Sequence, residues 1–333
     1  MTIAFFGELM LRLSPPGREL LLQTPKLEVN VGGAEANVAT GLACLGHTVR
    51  MVSAVADNPL GASVIGELRR RGVDTSTVAV EPGRLGLYFL TPGAGLRASE
   101  VVYDRAHSVF ADRAADSWDW DAALNGATRL HLSGITPALG PNTAAAAIAA
   151  AEAATARGIP VSFDGNYRAK LWEAWESDPR AVLTRLIGHA DILFGNHRDI
   201  SLLLGRTFSG EGSDRRREAA QAAFEAFPKL QIIASTARHV DDADSHRIAA
   251  RIDMRSSWHQ TPEVLVAGIV DRIGAGDAFA AGVLHGLAEG GDAKAAAEAG
   301  LALTCLKHSL PGDASLFTRA DLAAFGEGLD VRR

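Results

Sequence analysis

The chain carries a glycine-rich turn followed by an acidic residue near its C-terminal end, Gly274-Ala275-Gly276-Asp277. Gly274 and Gly276 allow the backbone to approach a ligand closely, and the first N–H groups of a following helix point at an anion, with the helix dipole behind them. Asp277 would repel a phosphate, but here it can take a proton from a hydroxyl that attacks one. The pattern predicts phosphoryl transfer. The alternative is an N-cap aspartate after an ordinary loop.

A second glycine-rich segment, residues 30–39, places Gly32 and Gly33 before a helix whose early turns carry Glu35 and Asn37. The glycine pair would expose backbone donors to a polyhydroxyl ligand, and the Asn37 side chain offers both a donor and an acceptor. The alternative is a tight strand-to-helix turn with Asn37 in solvent.

Two arginines indicate the charge of the ligand. Tyr103 and Arg105 are two residues apart on a predicted strand, so their side chains share one face while Asp104 points to the other. Arg168 follows a central strand, at the edge where open α/β sheets bind ligands. A planar guanidinium can hold a carboxylate through two parallel hydrogen bonds, so the pair favours a sugar acid. Alternatively, each arginine pairs with a nearby aspartate or holds nucleotide phosphates.

Apolar runs that are typical of strands alternate with helical patterns along most of the chain, which predicts a parallel sheet covered by helices. We predict strands at 3–6, 49–55, 129–132, 161–163, 192–194 and 230–234, and helices at 34–45, 60–71, 142–157, 215–226, 277–289 and 293–307. Residues 11–31 and 85–110 break this rhythm with Gly, Pro and short alternating runs. They suit antiparallel strands that pair into a small sheet over a site.

The composition limits the classes of function. The chain has 333 residues, 47% of them hydrophobic and 22% charged, which excludes disorder and collagen-like order. The net charge of −6 disfavours a nucleic-acid partner, and no apolar run is long enough to span a membrane. Cys44 and Cys305 form no disulfide framework, and we expect reduced thiols in the cytoplasm.

Several segments together resemble the ribokinase-like (PfkB) family of carbohydrate kinases. They are residues 32–37, 57–61, 68–73 and 271–277. The resemblance covers nearly the whole chain. It implies a doubly wound, mainly parallel α/β sheet with helices on both faces and a small β-sheet lid. The core would comprise residues 1–10, 32–84 and 111–333, and the lid residues 11–31 and 85–110.

The resemblance also implies an activity: ATP-dependent phosphorylation of a sugar hydroxyl, with Asp277 as base and Gly274-Ala275-Gly276 as anion hole. Within the family, the chain looks like the members that act on 2-keto-3-deoxygluconate, whose terminal hydroxyl would become the 6-phosphate. The substrate contacts that carry over, besides Asp277, are Gly33, Tyr88, Tyr103, Arg105, Arg168 and Asp313. Alternatives are a kinase for fructose or ribose, a non-catalytic sugar-acid sensor and, contradicted by the missing early glycine fingerprint, a nicotinamide oxidoreductase.

The same resemblance implies sites for nucleotide and metals. The nucleotide side would be formed by Asn166, Asn196, Ser235, Thr236, Arg238, Gly274 and Gly276, with residues 235–242 as a loop. Mg²⁺ would contact Asp199 through water, since the family's Asn-x-x-Glu motif reads Asn196-His197-Arg198-Asp199 here. Asp271 resembles the position that organises a monovalent cation such as K⁺, although Arg272-Ile273 replaces the usual small pair. Exposed lid strands need cover, so we expect a homo-oligomer.

Overall fold

The computed structural model describes residues 2–327, which form two β-sheets and the helices packed around them. The strands are β1 (Thr2–Phe6), β2 (Met10–Ser14), β3 (Glu28–Gly32), β4 (Thr48–Ala56), β5 (Val73–Glu81), β6 (Gly86–Thr91), β7 (Glu100–Asp104), β8 (Ala127–Ser133), β9 (Val161–Asp164), β10 (Ile192–Phe194), β11 (Ile232–Asp242), β12 (Ser245–Met254), β13 (Trp258–Gln260) and β14 (Val264–Ala267). The α-helices are α1 (Ala34–Cys44), α2 (Pro59–Arg70), α3 (Val109–Asp112), α4 (Trp120–Leu124), α5 (Pro141–Ala156), α6 (Ala169–Trp172), α7 (Pro179–Ile187), α8 (His197–Leu204), α9 (Gly212–Ala226), α10 (Ala275–Ala288), α11 (Ala293–Lys307) and α12 (Arg319–Ala323).

The larger sheet has the strand order β13-β12-β11-β10-β9-β8-β1-β4-β5, with β14 also paired to β12. Pairing is parallel from β5 to β11 and antiparallel beyond it. The mainly parallel sheet confirms the predicted fold class. All six predicted strands are present, because each combines apolar residues with burial on both faces.

The larger sheet differs from the prediction in two ways: a predicted loop is a strand, and β5, β12, β13 and β14 lie outside the predicted strands. Residues 235–242 are not a loop: they continue β11, which pairs with β12 from Ile232 to Asp242. The strand is hidden because Arg238–Asp241 are all exposed, so this part lacks the alternation of apolar and polar residues that indicates a strand. Strand β5, with the sequence VDTSTVAVE, was missed for a similar reason, since only Val73 and Thr75 are buried.

The second sheet has the order β3-β2-β6-β7 and draws on the two stretches that break the α/β rhythm. Its β2–β3 and β6–β7 pairs are antiparallel, as expected, but β2 and β6 pair in parallel. The predicted small sheet is therefore confirmed, with one parallel pair at its centre, where strands from distant segments meet. The division of the chain into core and lid stays a prediction.

Small residues let the helices at the centre approach closely. A Cβ at Gly41 of α1 would lie 3.1 Å from the Ala281 side chain of α10, and one at Gly282 of α10 would lie 2.4 Å from the Ala299 carbonyl oxygen of α11. This close packing holds the first turn of α10 between α1 and α11, at the end of the sheet where the parallel strands β8, β9 and β10 finish. None of the described helices combines the length and apolarity needed to cross a bilayer.

Candidate active site

A cleft runs along the carboxyl ends of the parallel strands and has two ends. One end, the Tyr88 end, is a cavity of 480 Å³, and all seven residues predicted to contact the substrate line it: Gly33, Tyr88, Tyr103, Arg105, Arg168, Asp277 and Asp313. The other, the Ser235 end, comprises cavities of 480 Å³ and 740 Å³ that share Asn196, Ser235, Thr236, Arg238 and Gly276. Gly276 and Arg238 line both ends, so the Tyr88 and Ser235 ends are continuous.

Asp277 lies in the first turn of α10, where the two ends meet. The N-cap is Gly274 rather than Asp277, so the ordinary capping alternative does not apply. The Asn37 side chain donates a hydrogen bond of 2.7 Å from Nδ2 to Asp277 Oδ2. Burial raises the pKa of Asp277 to about 7, against the lowering effect of the Asn37 hydrogen bond. The carboxylate can therefore accept and release a proton near neutral pH.

The two glycines beside Asp277 have different surroundings. Gly274 has a φ of 76°, and a Cβ there would lie 1.6 Å from the Asp313 carbonyl oxygen, so only glycine fits against that turn. Gly276 is exposed to the cleft, with no atom within 4 Å of a Cβ position. The N–H of Ala275 donates to the Arg272 carbonyl, so within the described chain the donors left for an anion are those of Gly276 and Asp277.

Beneath the Tyr88 end lies a buried network of charges. Arg12, which is 2% exposed, contacts Asp271 Oδ2 at 2.7 Å and Asp313 Oδ1 at 2.9 Å, and the Tyr88 hydroxyl donates to Asp313 Oδ2. Burial lowers the pKa of Arg12, but Asp313 and Asp271 outweigh it and the net pKa is raised. Asp313 is thus held in place before any ligand enters.

Arg105 is also paired. It lies directly after β7, not within it, and donates from Nε to Glu8 Oε2 at 2.8 Å and from Nη2 to the same oxygen. Ser108 donates to the other Glu8 oxygen at 2.5 Å. The structure therefore realises one of the alternatives for Arg105, an acidic partner, although that partner is a distant glutamate. Only Nη1 is left without a hydrogen bond in the described chain.

Arg168 differs from Arg105 in its surroundings. It is exposed, follows β9, and its guanidinium bonds only to the neighbouring Tyr167 carbonyl at 3.1 Å within residues 2–327. Its charge lowers the pKa of Asp164 and Asp277 across the cleft. Tyr103 stands opposite on β7, at a ring distance of 6.1 Å from Tyr88. Arg168 is thus free to take an anion.

The Ser235 end is rich in positive charge. Arg198 and Arg238 make no ion pair and no side-chain hydrogen bond with any residue of the described chain, and neither does Arg272, which lines the Tyr88 end. Burial, and then the nearby charge of Arg272, lowers the pKa of Arg238. Ser235 and Thr236 line the same cavities from β11. Unpaired arginines together with hydroxyl groups are suited to bind phosphates.

Two further carboxylates lie between the ends of the cleft. Asp199 Oδ2 accepts from the Asn196 N–H at 2.8 Å, and Asn196 Oδ1 accepts from the Arg198 N–H at 2.8 Å, which is a capping box at the start of α8. Asp164 is at the end of β9, where burial, Asp277 and Asp199 raise its pKa to about 7. Clustered oxygen donors of this kind suit a hard divalent cation.

Five residues of the site were missing from the predicted set. These five, Glu8, Arg12, Asp164, Arg272 and Asn37, are joined by Arg198, which also lines the site and is not among the predicted residues. Asp164 had a usable signal, because it ends a predicted strand directly before Gly165 and Asn166. Glu8 and Arg12 carry no local signal, since their partners are distant in sequence.

Comparison with known proteins identifies the family. The model of the pfkB family carbohydrate kinases matches residues 2–318. The chain belongs to this family. A 2-dehydro-3-deoxygalactonokinase of Haloferax volcanii is 31% identical over 98% of this chain and 96% of its own length. A 2-dehydro-3-deoxygluconokinase of Bacillus subtilis is 28% identical over 96% of this chain and 94% of its own length. The crystal structure of a Thermotoga maritima 2-dehydro-3-deoxygluconokinase superposes with a TM-score of 0.92 at 36% identity, covering 98% of this chain and all of that one. This pfkB protein is therefore a sugar kinase.

Proposed function

We propose that this pfkB kinase transfers the γ-phosphoryl group of ATP to the terminal hydroxyl of 2-keto-3-deoxygluconate and gives the 6-phosphate. The observation that carries the proposal is the position of Asp277, a proton acceptor at the N-terminus of α10 where the Tyr88 and Ser235 ends meet. The relatives named for 2-dehydro-3-deoxy sugar acids support this choice of substrate.

In the proposed reaction, Asp277 accepts the proton of the terminal hydroxyl as its oxygen bonds to the γ-phosphorus. The bond from that phosphorus to the β,γ-bridging oxygen breaks, and ADP leaves with the electron pair. Asn37 fixes the carboxylate through its 2.7 Å hydrogen bond, and the free N–H groups of Gly276 and Asp277 face the phosphoryl oxygens. Asp164 and Asp199 would hold Mg²⁺, which neutralises phosphate charge when bound.

The carboxylate end of the substrate would meet the two arginines of the Tyr88 end. Arg168 has its guanidinium available, whereas Arg105 contributes only Nη1 because Glu8 takes its other donors. We therefore assign the larger share of acid recognition to Arg168. Gly33, Tyr88, Tyr103 and Asp313 would contact the rest of the sugar, and Ser235, Thr236, Arg238, Asn166 and Asn196 the nucleotide.

The test is ADP release from Mg-ATP, coupled to NADH oxidation, with the two epimeric 2-keto-3-deoxy acids, gluconate, fructose and ribose as acceptors. We expect turnover with the keto-deoxy acids only. The galactonate epimer is the second candidate substrate, because the Haloferax relative is named for it. Turnover of fructose or ribose alone would contradict the acid assignment, and ATP binding without turnover of any acceptor would favour a sensor.

An Arg168→Gln variant tests the same proposal from the protein side. Losing a charged hydrogen bond of about 1.5–3 kcal/mol should raise the KM for the keto-deoxy acid about tenfold to a hundredfold, with kcat much less changed. Arg185→Gln is the matched control, since Arg185 is an exposed arginine on α7 outside the cleft, paired with Glu152. Equal KM values for Arg168→Gln and the wild type would remove Arg168 from acid recognition.

We also propose that two copies associate through the outer face of the second sheet. That face exposes Val29 and Val102, the latter by half of its surface, and β3 and β7 leave its edges unpaired. Sedimentation equilibrium should give a mass of twice 35.0 kDa, and a single-chain mass would refute the association.

The free thiols Cys44 and Cys305 fit a reducing compartment, the cytoplasm.

A further inference from the structure

Lys307 is a lysine with no exposed surface beside the glycine-rich turn of the site. It is the last residue of α11, and its Nζ donates to the Leu310 carbonyl at 3.1 Å and, more weakly, to the Asp271 carbonyl at 3.5 Å. These two carbonyls belong to the two segments that form the floor of the site, one leading into Gly274 and the other into Asp313. The ammonium group therefore joins both segments.

In Asp271, which the family resemblance links to a monovalent cation, every oxygen already has a partner in the described chain. Its Oδ1 accepts from the Ile273 N–H at 2.9 Å, and its Oδ2 accepts from the Gly312 N–H at 3.1 Å and contacts Arg12 at 2.7 Å. Its carbonyl faces Lys307. A K⁺ ion needs several free oxygen ligands, and here two positive side chains and two N–H groups occupy the available oxygens. The residues present do not fit a bound monovalent cation.

The charges around Lys307 support the same conclusion, that no monovalent cation is bound here. Burial lowers the pKa of Lys307 overall, and Asp271 and Asp313 offset part of that decrease. Burial raises the pKa of Asp277 and of Asp313, and the positive charge of Lys307 offsets part of that increase. A fixed positive charge is therefore already present close to the base and to the helix N-terminus.

We propose that the ammonium group of Lys307 serves as a built-in monovalent cation in this chain, tying the 271–277 turn to the 310–313 turn, so that the kinase works without K⁺. Lys307 is a positioning residue: it acts on the anion site through the Asp271 and Leu310 carbonyls and touches no substrate. The inference rests on the phosphoryl transfer proposed above but is independent of which sugar acid accepts the group.

The first experiment titrates the wild-type protein with KCl against tetramethylammonium chloride at constant ionic strength. We expect the same kcat in both salts. We also expect the same melting temperature for the ligand-free protein, a readout that needs no sugar. Activation by K⁺, or a K⁺-specific rise in melting temperature, would overturn the inference. If no acceptor is turned over but the melting temperature is the same in both salts, the substrate proposal fails and this inference stands.

The second experiment uses Lys307→Ala. The control is Lys294→Ala on the same helix, because Lys294 is exposed and its ion pair with Glu298 is long at 3.9 Å. Removing Lys307 should lower kcat about tenfold or more, by loosening the N–H donors of the anion site. K⁺ should then restore part of the kcat and raise the melting temperature, because an ion that binds only the folded state stabilises it. A Lys307→Ala protein that keeps full kcat and ignores K⁺ would also refute the proposal. If this variant does not fold, the wild-type titration decides alone.

Discussion

The two ends of the cleft handle charge in opposite ways. At the Tyr88 end, Arg12 and Arg105 are buried and already paired with Asp271, Asp313 and Glu8. At the Ser235 end, Arg198 and Arg238 are exposed to the cleft without an acidic partner in residues 2–327. Both ends are rich in arginine, so composition alone does not distinguish them.

Physical chemistry explains the difference. A charge removed from water must be paired, so the buried Arg12 and Arg105 exist only within a finished network of ion pairs and hydrogen bonds. The exposed Arg198 and Arg238 keep their charges hydrated until an anion replaces the water. We therefore expect substitutions at the Tyr88 end to change stability together with activity. Substitutions at the Ser235 end should change nucleotide binding and leave stability unaltered.

The largest effect should come from Asp277, where the two ends meet. In Asp277→Asn the proton acceptor is lost, and kcat should fall by about 10² to 10⁴ while sugar binding persists. In the wild type, kcat/KM should rise with pH through about 7, because burial raises the pKa of Asp277 to about 7 and only the deprotonated carboxylate accepts the proton.

The matched control is Asp292→Asn, which alters an aspartate at the N-terminus of α11, where it caps the Ala295 N–H at 2.9 Å outside the cleft. This control should keep its turnover. Initial rates by ADP release and sugar binding by calorimetry measure both variants. A near-wild-type kcat in Asp277→Asn would remove the base assignment.

The next largest effect concerns stability at the Tyr88 end. Arg105→Met leaves Glu8, which is 2% exposed, buried without its cation, and should lower the free energy of unfolding by about 3–5 kcal/mol. Adding Glu8→Gln to that variant should restore part of the loss. Arg84→Met breaks the half-exposed pair with Asp104 nearby and should cost at most about 1 kcal/mol.

Urea unfolding at neutral pH measures all four proteins of this series. If Arg105→Met and Arg84→Met lost the same small amount, the Tyr88 end would not depend on its internal pairing, and the contrast between the two ends would fail.

The same contrast decides what could be predicted from sequence. The Asp277 turn, the strand ends and the six main helices rest on local patterns of glycine and apolar spacing, and the predicted substrate residues do line one cavity. The pairs that these side chains form could not be predicted from the sequence. Glu8 and Arg105 are 97 residues apart, Tyr88 and Asp313 are 225 apart, and Asn37 and Asp277 are 240 apart.

No local pattern indicates such partners, because folding alone brings them together. A buried arginine and a ligand-binding arginine look alike in sequence: Arg105 and Arg168 each follow a strand, yet Arg105 is paired and Arg168 is exposed. Strand β11 is difficult to predict for another reason, since half of it is polar and exposed. At the Ser235 end, the secondary structure is thus the harder part to predict. At the Tyr88 end, the harder part is which charged side chains are already paired.

A smaller effect is expected at the Ser235 end. Arg238→Ala should raise the KM for ATP about tenfold to a hundredfold, from the loss of a charged hydrogen bond of about 1.5–3 kcal/mol, without lowering the free energy of unfolding. The control is Arg247→Ala on the neighbouring strand β12, where Arg247 pairs with Asp241 at 3.0 Å. A loss of stability in Arg238→Ala, with unchanged KM for ATP, would place Arg238 in a structural role.

The smallest effect concerns Glu35, a buried carboxyl of the Tyr88 end that has no cation bonded to it. Its Oε1 accepts from the Thr136 hydroxyl at 2.7 Å and from the Ser133 N–H at 3.2 Å, and burial raises its pKa to about 8. The folded protein therefore binds this proton far more tightly than the unfolded chain, where a glutamate has a pKa of about 4.3. The contribution to stability is complete below that pH and is lost as the pH rises through about 8.

Between pH 7 and pH 9 this loss amounts to about 1 kcal/mol. Glu35→Gln keeps the accepting oxygen and cannot ionise, so its free energy of unfolding should fall less over that interval than that of the wild type. Asp164 and Asp277 titrate in both proteins and cancel in the difference. Urea unfolding at a series of pH values measures it. Parallel pH profiles would mean that Glu35 is already ionised at neutral pH, and the Tyr88 end would then hold a buried negative charge that pairing does not explain.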